Sequence, residues 1–485
     1  MKNNLYTKVL LFCSLLILGC TNTANIEKPN IVFILVDDLG YADLGYTGSS
    51  SYESPNVDAL AAAGMVFTNA YAASPVCSPT RAAILSGKYP ARLYLTDWIP
   101  GNRHYGPHKH QKLASQPFEL QLPLEEYTLA EAFKDAGYKT LFAGKWHLGE
   151  KDEYYPQFQG FDINRGGNQT GHPSGGYFSP YENPQLTDGP NGEYLTDRLT
   201  DEVIQFVNTS KDAPFFAYLS FYTVHLPLQA KPEKVKKYTQ KFSEKFTDEE
   251  SFSQDGGTFY KHRQNKPQYA AMIESMDENV GRLLQCLEKN GLTENTIIVF
   301  TSDNGGMATS NAMEQIPTSN LPLRAGKGYL YEGGIREPLI IKWPKRIPEG
   351  SSSHFPVTST DLYPTLLDIA GMDMEPHQHM DGISLKPILE GNDQTTRPIF
   401  WHFPHYSGGL GGRPSGAVRL GDYKLIEFYE DMSVELYDVR KDIGEQNDLS
   451  KTAPEKVKQL VNLLHQWRVE VGAQMPYPNP NFEQD

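Results

Sequence analysis

The chain is short of cysteine, of positive charge and of long apolar runs, and each shortage excludes something. Four cysteines, Cys13, Cys20, Cys77 and Cys286, occur in 485 residues, which is too few for a disulfide-stapled scaffold. Lysine and arginine number 44 against 59 aspartates and glutamates, a net charge of −15. That balance argues against nucleic acid as a partner, because such binders present a basic patch or stripe. The apolar run near the N-terminus, Val9 to Leu18, is too short for the roughly 20 residues of a membrane span. No internal repeat and no long low-complexity tract is visible. What is present is 39% hydrophobic residues, which suits a soluble globular protein. The length allows two to four domains of roughly 100–200 residues each.

Lys2 and Lys8 flank the apolar run, and Gly19-Cys20 follows it, so the N-terminus reads as a signal peptide. Ile17-Leu18-Gly19-Cys20 resembles a bacterial lipobox. Residues 1–20 are then a lipoprotein-type signal with Cys20 lipidated, and residues 21–28 a polar tether. The alternative is a plain secretory signal cleaved near Cys20. The expectation is an exported protein that meets a bacterial membrane only through a lipid anchor, facing the periplasm or cell surface. A soluble periplasmic protein is the other possibility.

Apolar runs alternate with amphipathic segments, which predicts an α/β protein with a large, mostly parallel central sheet flanked by helices. Strands are expected at Ile31–Val36, Met65–Asn69, Lys139–Ala143, Phe215–Phe221, Thr296–Thr301 and Pro338–Lys342. Helices are expected at Asn56–Ala63, Pro79–Ser86, Thr128–Ala136, Asp197–Val207, Tyr269–Lys289 and Asp361–Ala370. Lys231 to Lys266, rich in Lys, Glu, Gln and Ser, reads as a solvated loop or surface helix pair, or as an insertion bordering a substrate cleft. Residues 29–395 form one catalytic unit on this reading. Residues 396–485 form a small C-terminal α+β subdomain, with short strands at Ile399–Phe403, Gly416–Leu420, Tyr423–Tyr429 and Ser433–Tyr437. Its helix, Thr452–Val471, is apolar at Val457, Leu460, Val461, Leu464 and Trp467.

Several strand-like runs end in reactive side chains. Ile31–Val36 runs into Asp37-Asp38, Thr296–Thr301 into Asp303-Asn304, Phe215–Phe221 toward His225, and Lys139–Ala143 toward Lys145 and His147. In open α/β sheets the carboxyl ends of strands carry the site. Asp37-Asp38 alone would suit a cap or a turn. Together with Asp303-Asn304 the pair forms an oxygen-donor set of the kind that suits Ca²⁺ first and Mg²⁺ second, rather than zinc. A protein this acidic must build any anion site locally, from a metal and a few cations.

The residues that name a chemistry lie in Ser74-Pro75-Val76-Cys77-Ser78-Pro79-Thr80-Arg81, continued by Ala82-Ala83-Ile84-Leu85-Ser86-Gly87-Lys88-Tyr89-Pro90. This stretch resembles the C-x-P-x-R signature of the type I sulfatases, of the alkaline phosphatase-like superfamily. Gly144-Lys145-Trp146-His147-Leu148-Gly149 resembles that family's G-K-W-H-L-G motif, and Val224-His225-Leu226-Pro227 its H-x-P. Lys327 precedes Glu332-Gly333-Gly334-Ile335-Arg336-Glu337-Pro338, similar to its E-G-G-x-R-x-P block, where Arg336 reads as structural. Val434–Asp438 and Gly444–Leu449 are similar to the family's C-terminal subdomain.

The resemblance implies that Cys77 is oxidised to formylglycine by a formylglycine-generating maturation enzyme. One hydroxyl of that residue's hydrate would attack sulfur and displace the alcohol, forming a covalent sulfate ester; the second hydroxyl would then lose its proton, the carbonyl re-form and sulfate be expelled. It implies a metal held by Asp37, Asp38, Asp303 and Asn304, with the residue at 77 also facing it. Arg81 would hold the hydrate, Lys145 and Lys327 the sulfate, His147 would take a proton, and His225 would protonate the leaving alcohol. With Cys13 in the signal, Cys20 lipidated and Cys77 converted, Cys286 has no partner, so no disulfide is expected. The implied activity is sulfate-ester hydrolysis on a sulfated polysaccharide or oligosaccharide of algal galactan, ulvan or glycosaminoglycan type. A phosphonate or phosphodiester hydrolase of the same superfamily and an inactive carbohydrate-binding homologue are the alternatives. Trp98, His104, His108, His172, Trp401, His402 and His405 read singly as structural or surface residues and as a group as candidate sugar contacts, and Asn168–His172 lies where relatives place further contacts.

Overall fold

The computed structural model describes residues 28–101, 107–246, 252–392 and 394–483. The signal, Cys13, Cys20, most of the tether and His104 lie outside them. The strand Asn30–Val36 is buried along its whole length. Successive side chains of a strand point to opposite faces, so Ile31, Phe33 and Leu35 enter one core and Val32, Ile34 and Val36 the other. A strand buried on both faces reads as a continuous apolar run, as this one does. Each such side chain contributes roughly 1.5–3 kcal/mol on burial.

The main sheet has nine strands, in spatial order Ser351–Ser353, Met65–Tyr71, Arg336–Lys342, Thr296–Ser302, Asn30–Val36, Phe215–Ser220, Lys139–Gly144 and Ile163–Arg165, with Val357–Thr358 also on Met65–Tyr71. It is parallel except for Arg336–Lys342, which runs against both neighbours. Helices Cys77–Ser86, Leu129–Asp135 and Leu362–Ile369 cover one face. Helices Pro55–Ala62, Leu195–Ser210 and Pro267–Lys289 cover the other. The six expected strands and six expected helices are present. The Cys77–Ser86 helix begins two residues earlier than expected, because a proline in the first turn has no N–H to leave unpaired.

A four-stranded antiparallel sheet, Ile399–Phe403, Ser415–Leu420, Tyr423–Phe428 and Val434–Asp438, follows. The helix Pro454–Glu470 packs on it through Leu460, Leu464 and Trp467. Its other face, with Trp401, Ala417 and Ile426, packs on Tyr71 and Ile335 of the main body.

The described residues of the 231–266 segment form one helix and a hairpin, where a loop, a surface helix pair or a cleft insertion was expected. Pro232–Lys245 is a single amphipathic helix that buries Tyr238 and Phe242 in the core shared with Pro267–Lys289. Phe252–Asp255 and Thr258–Lys261 form a hairpin that pairs with Thr309–Ser310. Cys77 and Cys286 are both free. No helix among the described residues is long and apolar enough to cross a membrane.

Candidate active site

Two strand ends form the base of the site. Val36 is in register with Ser302, so Asp37-Asp38 and Asp303-Asn304 leave the sheet side by side. The Ser302 hydroxyl donates to the Val36 carbonyl at 3.1 Å and accepts from the Leu39 N–H at 3.1 Å. The Asp38 N–H donates to Asp303 Oδ1 at 3.2 Å, and the Asn304 amide nitrogen donates to Asp38 Oδ1 at 2.7 Å. Asp38 adopts φ 59°, a left-handed conformation that costs a non-glycine residue on the order of 1–3 kcal/mol and persists where the surroundings over-determine it.

Carboxylate oxygens of Asp37, Asp38 and Asp303 lie within 4.8 Å of one another, all buried. Burial pushes the Asp37 carboxyl up to about 8; Lys145 opposes this, while Asp303 and Asp38 add to it. Burial acts on Asp38 in the same direction, but Lys327 and His225 outweigh it and hold that carboxyl well below the usual range. Asn304 Oδ1 is buried without a hydrogen-bond partner. An oxygen-only set with mutual repulsion and an unsatisfied amide oxygen fits a hard divalent cation.

Four cationic or imidazole groups meet these carboxylates. Lys145 Nζ lies 2.9 and 2.7 Å from the two oxygens of Asp37. Lys327 Nζ lies 2.7 and 2.9 Å from Asp38 Oδ1 and Oδ2. Arg81 donates to Asp303 Oδ2 at 2.8 Å, and to the Lys145 carbonyl and Ser220 Oγ at 2.7 Å each. His225 Nε2 lies 3.7 Å from Asp38 Oδ2. Lys145 reaches Asp37 because the strand turns at Gly144. There φ is 112°, and a Cβ would lie 1.7 Å from the Ser220 carbonyl oxygen, so only glycine fits.

Cys77 is the first residue of its helix, and Val76 supplies no side-chain cap. The positive end of the helix dipole therefore falls on position 77. Burial raises the Cys77 thiol above its ordinary value, with Lys145 and Lys327 opposing, the reverse of what thiolate catalysis needs. His147 Nδ1 lies 3.4 Å from Cys77 Sγ, and Nε2 contacts the Ile99 carbonyl. A carbonyl only accepts, so Nε2 carries the proton and Nδ1 presents a lone pair to position 77. Burial, followed by Lys145, holds His147 well below its ordinary value, so it is neutral. Burial, followed by Lys327, lowers His225 to about 3, against the pull of Asp38. Its Nδ1 donates to the Leu226 carbonyl at 2.8 Å.

Cys77, His147, His225 and Lys327 line one cavity of about 730 Å³. Asp37, Asp38, Asp303, Asn304, Arg81 and Lys145 are buried beside it. Trp98, His108, Gln169, Thr170, Gly171 and His172 also line it. At Gly171 a Cβ would lie 2.5 Å from the His147 ring. Trp401, His402 and His405 do not line it: Trp401 donates to the Ala72 carbonyl, His402 bonds Tyr429 and Gln474, and His405 bonds Thr96. No described residue of the 231–266 segment lines it either. Arg336 is bonded to Glu332, Asn69 and Tyr71, the bracing role expected of it. Sequence reasoning missed the Ile99 carbonyl, Ser220 and Tyr406. A backbone carbonyl leaves no trace in residue identity, and Ser220 and Tyr406 fall in no motif.

A family model described as Sulfatase matches residues 29–372, and one described as N-sulphoglucosamine sulphohydrolase, C-terminal, matches residues 325–472. The chain is 34% identical over 423 residues to the N-acetylgalactosamine-6-sulfatase of Mus musculus, covering 82% of this chain and 72% of that protein. It is 32% identical over 565 residues to a protein of Formosa agariphila named Sulfatase, covering 98% and 97%. The crystal structure of Ps i-CgsB matches with a TM-score of 0.73 at 30% identity, covering 91% of this chain and 93% of that one. Ps i-CgsB has also been solved in complex with k-i-k-neocarrahexaose. With its carboxylate cluster and cationic cavity at the strand ends, the chain belongs to the sulfatase family and is a sulfuric ester hydrolase.

Proposed function

We propose that this sulfatase removes sulfate groups from a sulfated polysaccharide or oligosaccharide, using formylglycine made from Cys77 and Ca²⁺ held by Asp37, Asp38, Asp303 and Asn304. The observation that carries the reading is position 77 itself. A buried cysteine with a raised thiol pKa opens a helix, 3.4 Å from an unprotonated His147 nitrogen, in a cavity that Lys327 also lines. A cavity of about 730 Å³ is within the range of small-molecule sites, and a related protein has been solved with a carrageenan hexasaccharide. The cation and the formylglycine together supply Lewis acidity toward a sulfate oxygen and an oxygen nucleophile with a built-in exit for sulfate.

The chain's own residues do the rest on this proposal. Lys145 and Lys327 hold sulfate oxygens and stabilise the charge that develops on them. Arg81 fixes Asp303 and the backbone from which Lys145 projects. His147 Nδ1 accepts a proton from the residue at 77. His225 Nε2 delivers a proton to the leaving alcohol. A bound sulfate monoester sets a negative charge against Lys327 and so favours protonated His225 in the complex.

Export, lipidation of Cys20 and the division at about residue 395 belong to the same proposal and rest on the sequence. The test is sulfate release from defined sulfated galactans, ulvan fragments and glycosaminoglycan sugars, by protein co-expressed with a formylglycine-generating enzyme. An aryl phosphodiester is run beside them. Sulfate release supports the reading, and a strong phosphodiester preference overturns it.

A further inference from the structure

A second cavity, of about 480 Å³, opens beside the first, and Tyr406 lines both. Consecutive residues divide between them: His108 lines the catalytic cavity and Pro107 the second. The second cavity presents the rings of Phe118, Tyr406 and Tyr477, with Gln111 and Gln116 as its amides. Tyrosine offers a flat apolar face and a polar edge, which matches the apolar face and hydroxyl rim of a sugar ring. Tyr477 is 42% exposed.

The run bordering both cavities is His108-Lys109-His110-Gln111-Lys112, four basic residues in five, in a chain of net charge −15. Lys109 and Lys112 are exposed. The pair between Lys109 and Glu483, at 3.0 Å, is exposed at both ends and is therefore weak. The C-terminal tail pins this shelf in place. The Asn479 side-chain amide donates to the His108 and Gln111 carbonyls at 3.0 and 2.7 Å, and its N–H donates to the Lys112 carbonyl at 2.9 Å. Tyr477 and Pro478 pair with Ala114 and Leu113. Asn479 itself is buried. A rigid basic shelf with aromatic walls is pre-organised for a polyanionic sugar, and pre-organisation lowers the entropic cost of binding.

We propose that the second cavity and its basic shelf form a distal subsite. It grips further sulfated sugars of the chain whose sulfate is being removed in the first cavity, so the preferred substrate is a polymer or long oligomer rather than a free monosaccharide. The proposal rests on the carbohydrate-sulfatase reading above and specifies its substrate length.

The test measures affinity in the Cys77→Ala protein, where no turnover intervenes. The probes are sulfated di- and hexasaccharides prepared from carrageenan, ulvan and chondroitin sulfate, measured at low and high salt. The expected result is that a hexasaccharide of at least one series binds about tenfold or more tightly than its disaccharide. That advantage shrinks with salt and falls in Tyr477→Ala and in Lys112→Ala. The ratio is internal to each protein, so partial misfolding of a variant does not alter it. Equal affinity for short and long sugars in every series overturns the proposal, as does a length advantage that both variants retain. Sulfate release from the same sugars by the Cys77 protein, co-expressed with a formylglycine-generating enzyme, is measured separately. Its absence in every series overturns the catalytic reading, whereas length-independent binding with intact sulfate release overturns only the distal subsite.

Discussion

At the scale of single residues, the site divides by how each group is held. The carboxylates and the cysteine sit in contiguous motifs at strand and helix ends, and residue identity alone exposes them. The tautomer of each histidine was not legible. It depends on which carbonyl each histidine touches, Ile99 for His147 and Leu226 for His225, and every residue presents a carbonyl. Cys77→Ala is expected to lower turnover on the order of 10⁴-fold or more while leaving the circular dichroism spectrum intact. Mass spectrometry of the Cys77 peptide is expected to find it lighter than the thiol form, and an intact thiol in fully active protein refutes the nucleophile. His225→Ala is expected to slow a sugar sulfate about 10²-fold more than an activated aryl sulfate, because the aryl leaving group needs no proton; equal losses would remove His225 from the acid role. Chelation is expected to abolish activity and lower the melting temperature. Calcium at about 100 times its Kd is expected to restore about 2.7 kcal/mol of stability, and Asp303→Asn protein is expected to show no such response.

At the scale of elements, the long strands and helices were readable because their apolar runs and periodicities are unambiguous. The 231–266 segment was not: two of its aromatics, Tyr238 and Phe242, acquire meaning only against the Pro267–Lys289 helix. The same holds for the joint between the main body and the C-terminal sheet. There Lys424 Nζ, fully buried, lies 2.8 Å from Glu332 and 2.8 Å from Glu445, and the Glu332 N–H donates to Glu445 Oε2 at 2.7 Å. Burial pushes Glu445 up to about 7; Lys424 opposes this and Glu332 adds to it. Glu332 begins the short helix just after the loop that carries Lys327, so this buried cluster ties a proposed sulfate-holding lysine to the subdomain. Lys424→Met leaves the buried Glu445 without its cation, while Glu332 keeps Arg336, and is expected to cost about 3–5 kcal/mol, read as a lower denaturant midpoint. Lys424→Met combined with Glu445→Gln is expected to recover part of the loss. A midpoint unchanged by the single substitution would show that the cluster does not hold the joint.

At the scale of the whole molecule, acid stability is a sum over buried groups of both signs. Asp43, raised to about 6 by burial, and Glu445, raised to about 7, bind protons more readily in the folded state and favour it as the pH falls. The buried histidines act the other way. His402 lies between the Tyr429 hydroxyl at 2.8 Å and the Gln474 carbonyl at 3.0 Å, joining the C-terminal tail to the sheet. Burial lowers it to about 4 from 6.5. Because the folded value lies below the unfolded one, the unfolded chain takes up the proton first as the pH falls. The stabilising contribution of neutral His402 is therefore complete above pH 6.5 and is lost progressively toward pH 4. At 1.36 kcal/mol for each unit of pKa difference, the loss is at most about 3 kcal/mol. Comparing the native sequence with His402→Asn cancels the carboxylates common to both. The difference in melting temperature is expected to be constant above pH 7 and then to shift steadily in favour of the variant between pH 6.5 and 4. A difference independent of pH would mean that His402 has the same pKa in the folded and unfolded chain, and would refute a neutral imidazole buried between Tyr429 and Gln474.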